Sequence, residues 1–223
     1  VVRNPDAMLL LSRLKEKSDL TLDRALGVSI YMITFGRYLQ LPRDQLDFLG
    51  MLGLLQDVGK VRLPAGLLEK KDQLTKEERK ICHSHVEQSV AILKETHGLP
   101  PELPALAALH HERYDGSGYP AGLRGPEIGL FGSIAGLVDC FDALTRPRPY
   151  AEALSPSNAL SKIYDLRDTE FDGSLVHQMI QCIGIYPVGA TVEMNTGEVG
   201  IVIAQNLVRR LQQKENSKAH REA

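Results

Sequence analysis

The chain has 223 residues, 43% apolar and 24% charged, with a formal net charge of −2. That is the profile of one large globular domain, or of one domain with an appendage. It excludes bulk electrostatic attraction to DNA or to a membrane surface. No apolar run approaches the roughly 18 residues needed to span a bilayer. The opening Val1-Val2-Arg3-Asn4-Pro5 has no signal-peptide pattern and reads as the start of a fragment of a longer protein. Cys82, Cys140 and Cys182 are far apart and read as small core residues in a reducing, cytoplasmic compartment.

Leu9, Leu10, Leu11 and Leu14 predict a first helix ending near Lys17. Asp19 and Thr21 can cap a second, running to about Leu39 with Leu22, Leu26, Ile30 and Ile33 on its apolar side. After the break at Leu41-Pro42-Arg43-Asp44, with Asp44 as cap, a third helix carries Leu46, Leu49, Leu52 and Leu55 and ends at Gln56-Asp57. Asp57 follows a run too apolar to be a solvated face. A carboxylate there needs a partner, a metal or Lys60, unless it only ends the helix.

Thr75-Lys76-Glu77-Glu78 is a capping-box pattern. It starts a helix carrying Ile81, Val86, Val90 and Leu93, with His83 and His85 in its middle. His85 sits beside the core-facing stripe, as a ligand or as a structural core histidine. Ala105 to Leu109 reads as a short helix closed by His110-His111. Adjacent helical residues diverge by about 100°, so only a site at the helix end can use both imidazoles. The loop His111-Glu112-Arg113-Tyr114-Asp115-Gly116-Ser117-Gly118-Tyr119-Pro120 has two glycines that allow positive φ and a proline that stiffens its exit. Taken alone, it is equally a surface loop that happens to follow two histidines.

Gly132 to Thr145 predicts an apolar helix with Asp139 facing inward. Arg146-Pro147-Arg148-Pro149-Tyr150 is a stiff basic turn, Ser155-Pro156 reads as N-cap and first residue of another helix, and one more spans Gly173 to Ile183. Ala190–Met194 and Glu198–Ile203 predict two strands joined at Asn195-Thr196-Gly197. The expected organisation is a linker helix over 1–18, a helical domain over 19–187, a hairpin over 188–206 and a polar tail over 207–223.

Asp57, His85, His110, His111 and Asp139 are thus inward polar residues from separate helices, the way helical bundles build metal sites. Imidazole mixed with carboxylate suits iron, manganese or zinc. Lys60 and Arg148 add the positive charge that a phosphate ester beside a metal would use.

These residues carry a resemblance to the HD-GYP family, the branch of the HD phosphohydrolase superfamily that hydrolyses cyclic di-GMP in bacteria. His110 to Pro120 matches the family's His-His-Glu-x-x-Asp-Gly-x-Gly-Tyr-Pro motif without a gap. Asp139 to Thr145 with Arg148-Pro149-Tyr150 matches the next block, and Ile185-Tyr186-Pro187-Val188-Gly189 and the hairpin are similar too. The resemblance implies an all-α bundle of the HD superfamily with a small C-terminal β-hairpin. It implies metal ligands at Asp57, His85, His110, His111 and Asp139, with iron or manganese as the metal. It also implies catalytic roles for Asp57 and Lys60 and substrate contacts from Lys60, Arg148 and Tyr119. The loop Asp115, Gly116, Gly118, Tyr119 and Pro120 is implied to meet the substrate or a partner signalling domain.

The departures are joint. The namesake His-Asp pair reads Gln56-Asp57, the first-helix histidine aligns with Arg24, and a glutamate one turn earlier aligns with Leu20. Ser89 also stands where the family has glycine, read here as a minor change. A neutral amide oxygen is a poor ligand for iron or manganese, and a guanidinium has no lone pair to offer. Arg24 can stand in as a fixed cation. The expectation is therefore a degenerate domain with one divalent ion or none, acting by binding cyclic di-GMP or a related cyclic dinucleotide, or by protein contact. The alternative is a phosphodiesterase running on a reduced metal site.

Overall fold

The computed structural model describes residues 4–17, 19–147, 152–184, 191–193 and 198–202. Nine α-helices occur among them: α1 (Pro5–Lys17), α2 (Asp19–Tyr38), α3 (Arg43–Leu55), α4 (Lys76–His83), α5 (His85–Glu95), α6 (Leu103–Ala107), α7 (Gly129–Thr145), α8 (Pro156–Asp165) and α9 (Gly173–Ile183). Short 3-10 turns cover Val58–Arg62 and Gly125–Ile128. Strands β1 (Thr191–Glu193) and β2 (Val199–Ile201) pair antiparallel, with Val192 opposite Gly200. The all-α bundle with a small terminal hairpin is as the sequence implied.

α2 is the spine. It packs on α1, α3, α7 and α9, and its Met32 and Phe35 meet Leu49 and Leu52 of α3 and Phe141 of α7 in one buried cluster. Tyr31 sets its ring edge-on to Phe141 with centroids 5.2 Å apart. The buried face of α2 is Ala25, Val28, Met32 and Phe35, whereas Leu26 and Ile30 are exposed. This corrects the expected apolar side: bulky residues on both sides of the helix left two candidate stripes, and packing chose the one with the smaller residues at its start. On α1, Ala7, Leu10 and Leu14 are buried and Leu9 is exposed.

Other local signals hold. Thr75 Oγ1 accepts from the Glu78 N–H and the Glu78 carboxylate accepts from the Thr75 N–H, so the capping box forms. Ser155 Oγ accepts from the Asn158 N–H at the start of α8. Asp44 is not a cap; Pro42 occupies that position and makes no side-chain cap bond. The single helix expected after Thr75 is broken at Ser84, whose hydroxyl donates back to the Ile81 carbonyl.

Gly125–Thr145 has mean hydropathy 1.5 and is by length and composition able to cross a membrane. This corrects the expectation that no such segment exists, which rested on counting uninterrupted apolar residues past Asp139 and Asp142. In the fold more than half of it is buried, and both aspartates are ion-paired inside the bundle.

Candidate metal centre

Four elements converge on one point. α3 ends at Leu55 and leaves Asp57, at φ −100° and ψ 7°, as the residue before the 3-10 turn. That turn lies against α5, where the Gly59 N–H donates to Ser89 Oγ at 2.8 Å. A Cβ at Gly59 would stand 2.0 Å from the His85 carbonyl oxygen, so only glycine lets the two elements approach this closely. Ser89 is therefore a working contact and not the minor change that the sequence suggested.

The break at Ser84 and the end of α6 at Ala107 do parallel jobs. A helix end leaves its last carbonyls without intrahelical donors. His85 Nδ1 lies 2.7 Å from the Cys82 carbonyl, and His110 Nδ1 lies 2.7 Å from the Ala107 carbonyl. Each imidazole donates its Nδ1–H to a freed carbonyl three residues earlier, so each Nε2 carries a lone pair. Carbonyls thus orient the histidines, while Asp142 and Asp115 are engaged elsewhere, with Arg146 and with the Ser117 N–H.

Both Nε2 atoms face the same carboxylate oxygen. His85 Nε2 is 3.1 Å and His110 Nε2 3.5 Å from Asp57 Oδ1, and His85 Nε2 is 3.4 Å from His110 Nε2 and 3.2 Å from His111 Nε2. The Lys60 ammonium takes the other oxygen, Asp57 Oδ2. Burial favours the neutral acid at Asp57, but Lys60 wins and holds the carboxyl well below the usual range. Burial, with His110 beside it, pushes His111 down, and burial also lowers His85, so both rings stay neutral at pH 7.

Electron-pair donors this close, with no proton between His85, His110 and Asp57, repel one another. Atoms about 2.1 Å from one transition metal stand about 3.0 to 3.4 Å apart in octahedral or tetrahedral geometry. The observed spacings match, and Asp57 Oδ1 has no hydrogen-bond donor among the described residues. Asp57, His85, His110 and His111 therefore fit a divalent metal.

The other side of the site is built differently. Arg24 points inward and donates to Asp139 Oδ1 at 2.8 Å, with its Nε 3.8 Å from Asp142 Oδ2. Asp139 pairs with this guanidinium and lies outside the four-donor cluster. Arg24 overcomes the burial that would raise the Asp139 carboxyl and holds it below the usual range. Arg146 bonds Asp142 at 2.8 Å, yet burial still raises that carboxyl. Leu20 is on the surface, 75% exposed. Gln56 is fully buried, and neither amide atom has a partner among the described residues. Arg148 lies outside the described residues.

The loop is pinned by Glu112, which is buried and accepts from the Ala121 and Leu123 N–H groups at 2.7 and 3.0 Å. Gly116 takes φ +81°, whereas Gly118 is needed for space: a Cβ there would sit 2.4 Å from Arg113 N. The Tyr119–Pro120 peptide is cis. Tyr119 stacks on His111 and on His83, and burial raises its phenol. Sequence reasoning missed His83, because a histidine two residues before His85 falls off any common helical face and only the break at Ser84 turns it.

Comparison with known proteins agrees. The chain matches the HD domain family over residues 8–175. It is 32% identical over 206 residues to the cyclic di-GMP phosphodiesterase PA4108 of Pseudomonas aeruginosa, covering 92% of this chain and 50% of that protein. It is 37% identical over 144 residues to the cyclic di-GMP phosphodiesterase response regulator RpfG of Xanthomonas campestris pv. campestris, covering 64% of this chain and 38% of that one. The chain thus spans half or less of these relatives. Its fold is similar to the HD domain of the L. monocytogenes phosphodiesterase PgpH, with a TM-score of 0.59 at 17% identity over 78% of this chain and 94% of that one. With that match running from α1 into α9 and the four-donor centre in place, this chain belongs to the HD domain family.

Proposed function

We propose that this domain binds a cyclic dinucleotide, cyclic di-GMP or a close relative, in bacterial signalling, and that its phosphodiester hydrolysis is reduced or absent. The observation that carries the reading is Arg24 seated on Asp139, 2.8 Å away, beside an intact four-donor cluster. One half of the site is fit for an ion; the other already holds a cation tethered to the chain. Around it Asp57 is paired with Lys60, Asp139 with Arg24 and Asp142 with Arg146. A second divalent ion would meet carboxylates already neutralised and a guanidinium that repels it.

Iron or manganese suits the imidazole-rich donor set. Held by Asp57, His85, His110 and His111, it would supply Lewis-acid polarisation of a phosphodiester oxygen. Lys60 fixes Asp57 in its ionised form, and Arg24 keeps positive charge beside the path of a bound phosphate. The loop presents Asp115, Ser117 and Pro120 to solvent, a surface suited to a partner signalling domain. A second reading, a phosphodiesterase working with one ion, draws on the same intact cluster.

Metal content of protein purified anaerobically, with cyclic di-GMP binding and turnover measured on the same sample, tests both. The expected result is one iron or manganese per chain, saturable binding and little turnover. Arg24→His combined with Gln56→His then raises the metal content toward two and restores turnover. Fast turnover by the natural sequence, lost in His110→Ala, would favour the single-ion enzyme and overturn the degenerate one. Protein that takes up no transition metal would rule out the single-ion enzyme.

A further inference from the structure

The aromatic ring of Tyr119 links the metal centre to the outside of the molecule. It lies against His111, with centroids 4.7 Å and planes 23° apart, and nearly parallel to His83, at 3.9 Å and 5°. A run of three flat rings thus leads from a metal-ligating histidine to the end of α4. His83 is only partly buried, and Tyr119 is the ring stacked on it among the described residues. Arg79 is exposed and sits one turn earlier on the same face of α4, where residues four apart are neighbours.

A half-open imidazole at the end of a stack, with a guanidinium beside it, is the equipment for holding a flat heteroaromatic ring. Bases stack on aromatic side chains whatever their sequence, and arginine pairs with the O6 and N7 edge of guanine through two hydrogen bonds. Nothing in the metal centre uses His83: its ring bonds none of the four donors. We propose that His83 is the floor of a base-binding subsite that takes one purine of a cyclic dinucleotide, with Arg79 at the purine's edge and the phosphodiester at the metal centre. This rests on the cyclic dinucleotide reading above.

The alternative role for His83 is bracing Tyr119, and a bracing role would not sense which base the ligand carries. The test is calorimetric titration of the manganese-loaded chain with cyclic di-GMP and with cyclic di-UMP, its pyrimidine counterpart. Wild type should prefer the purine ligand. His83→Ala should weaken cyclic di-GMP about tenfold and erase most of that preference, His83→Phe should restore both, and manganese affinity should be the same in all three. Arg79→Ala should weaken cyclic di-GMP more than cyclic di-UMP. If His83→Ala keeps wild-type affinity and preference, or weakens both ligands equally, the subsite is overturned while the functional reading stands. Wild type that binds neither ligand overturns the functional reading and the subsite with it.

Discussion

Gln56, next to Asp57 in the chain, and Arg24 are polar residues with opposite fates. Arg24 found carboxylates; Gln56 is fully buried with both amide atoms unpaired among the described residues. A buried polar group without a partner costs about 1–3 kcal/mol, and methionine has a similar length and volume without the polar atoms. Gln56→Met should therefore raise unfolding free energy by about 1–3 kcal/mol, read from urea denaturation. A loss of stability would mean that the amide is satisfied in solution. Asp57, His85, His110 and His111 were legible as inward polar residues of types that ligate metals, whereas Asp139, expected with them, pairs with Arg24 instead. The direction of Arg24 was not legible, since a long flexible side chain can reach inward or out to water.

The elements show why the site is where it is. The turn Val58–Arg62 and α5 touch through Gly59, and a methyl group there would meet backbone at 2.0 and 2.4 Å. Backbone cannot give way as a side-chain tip can. Gly59→Ala should cost about 3 kcal/mol and, by separating Asp57 from His85, lower manganese affinity more than tenfold; denaturation and metal titration check the two effects separately. Normal metal affinity in a destabilised variant would show that the contact carries stability alone. Boundaries of this kind were only partly readable. Thr75 and Ser155 announced their helices because side-chain caps are local. The break at Ser84 was hidden, since Ile81, Val86, Val90 and Leu93 continue one apolar rhythm across it. The buried face of α2 was misread for a related reason: Leu26 and Ile30 satisfy the helical period as well as Val28 and Met32 do, and only the neighbouring helices decide between them.

For the whole molecule the buried histidines set a pH dependence. Burial lowers His85 and His111 below their unfolded value of 6.5. Below that pH the unfolded chain takes up protons that the folded chain refuses, so stability falls as pH falls. Metal-free protein should lose up to about 1.4 kcal/mol per pH unit for each such proton between pH 6.5 and 5. Thermal melts after chelation would show it, and a flat profile would contradict it. Added manganese should stabilise more at pH 7.5 than at pH 6, because protons compete for the same lone pairs. The bundle and the hairpin strands were readable at this scale, since the helical period and the two short apolar runs near the C-terminus are strong sequence patterns. The depth at which Asp139 and Arg24 meet depends on contacts between α2 and α7, far apart in sequence.

The two oriented imidazoles carry a last consequence. In many proteins a neighbouring side chain sets the tautomer of a ligating histidine, and a single substitution can unset it. Here the acceptors at 82 and 107 are main-chain oxygens, present whatever residue stands there. The orientation of His85 and His110 is thus inherited from the course of the backbone and is immune to drift at the flanking positions. That immunity sets the two sides of the site apart. The Arg24 side of the site rests on a pairing between side chains, Arg24 with Asp139, while the side anchored on helix ends can be lost only by changing a ligand itself.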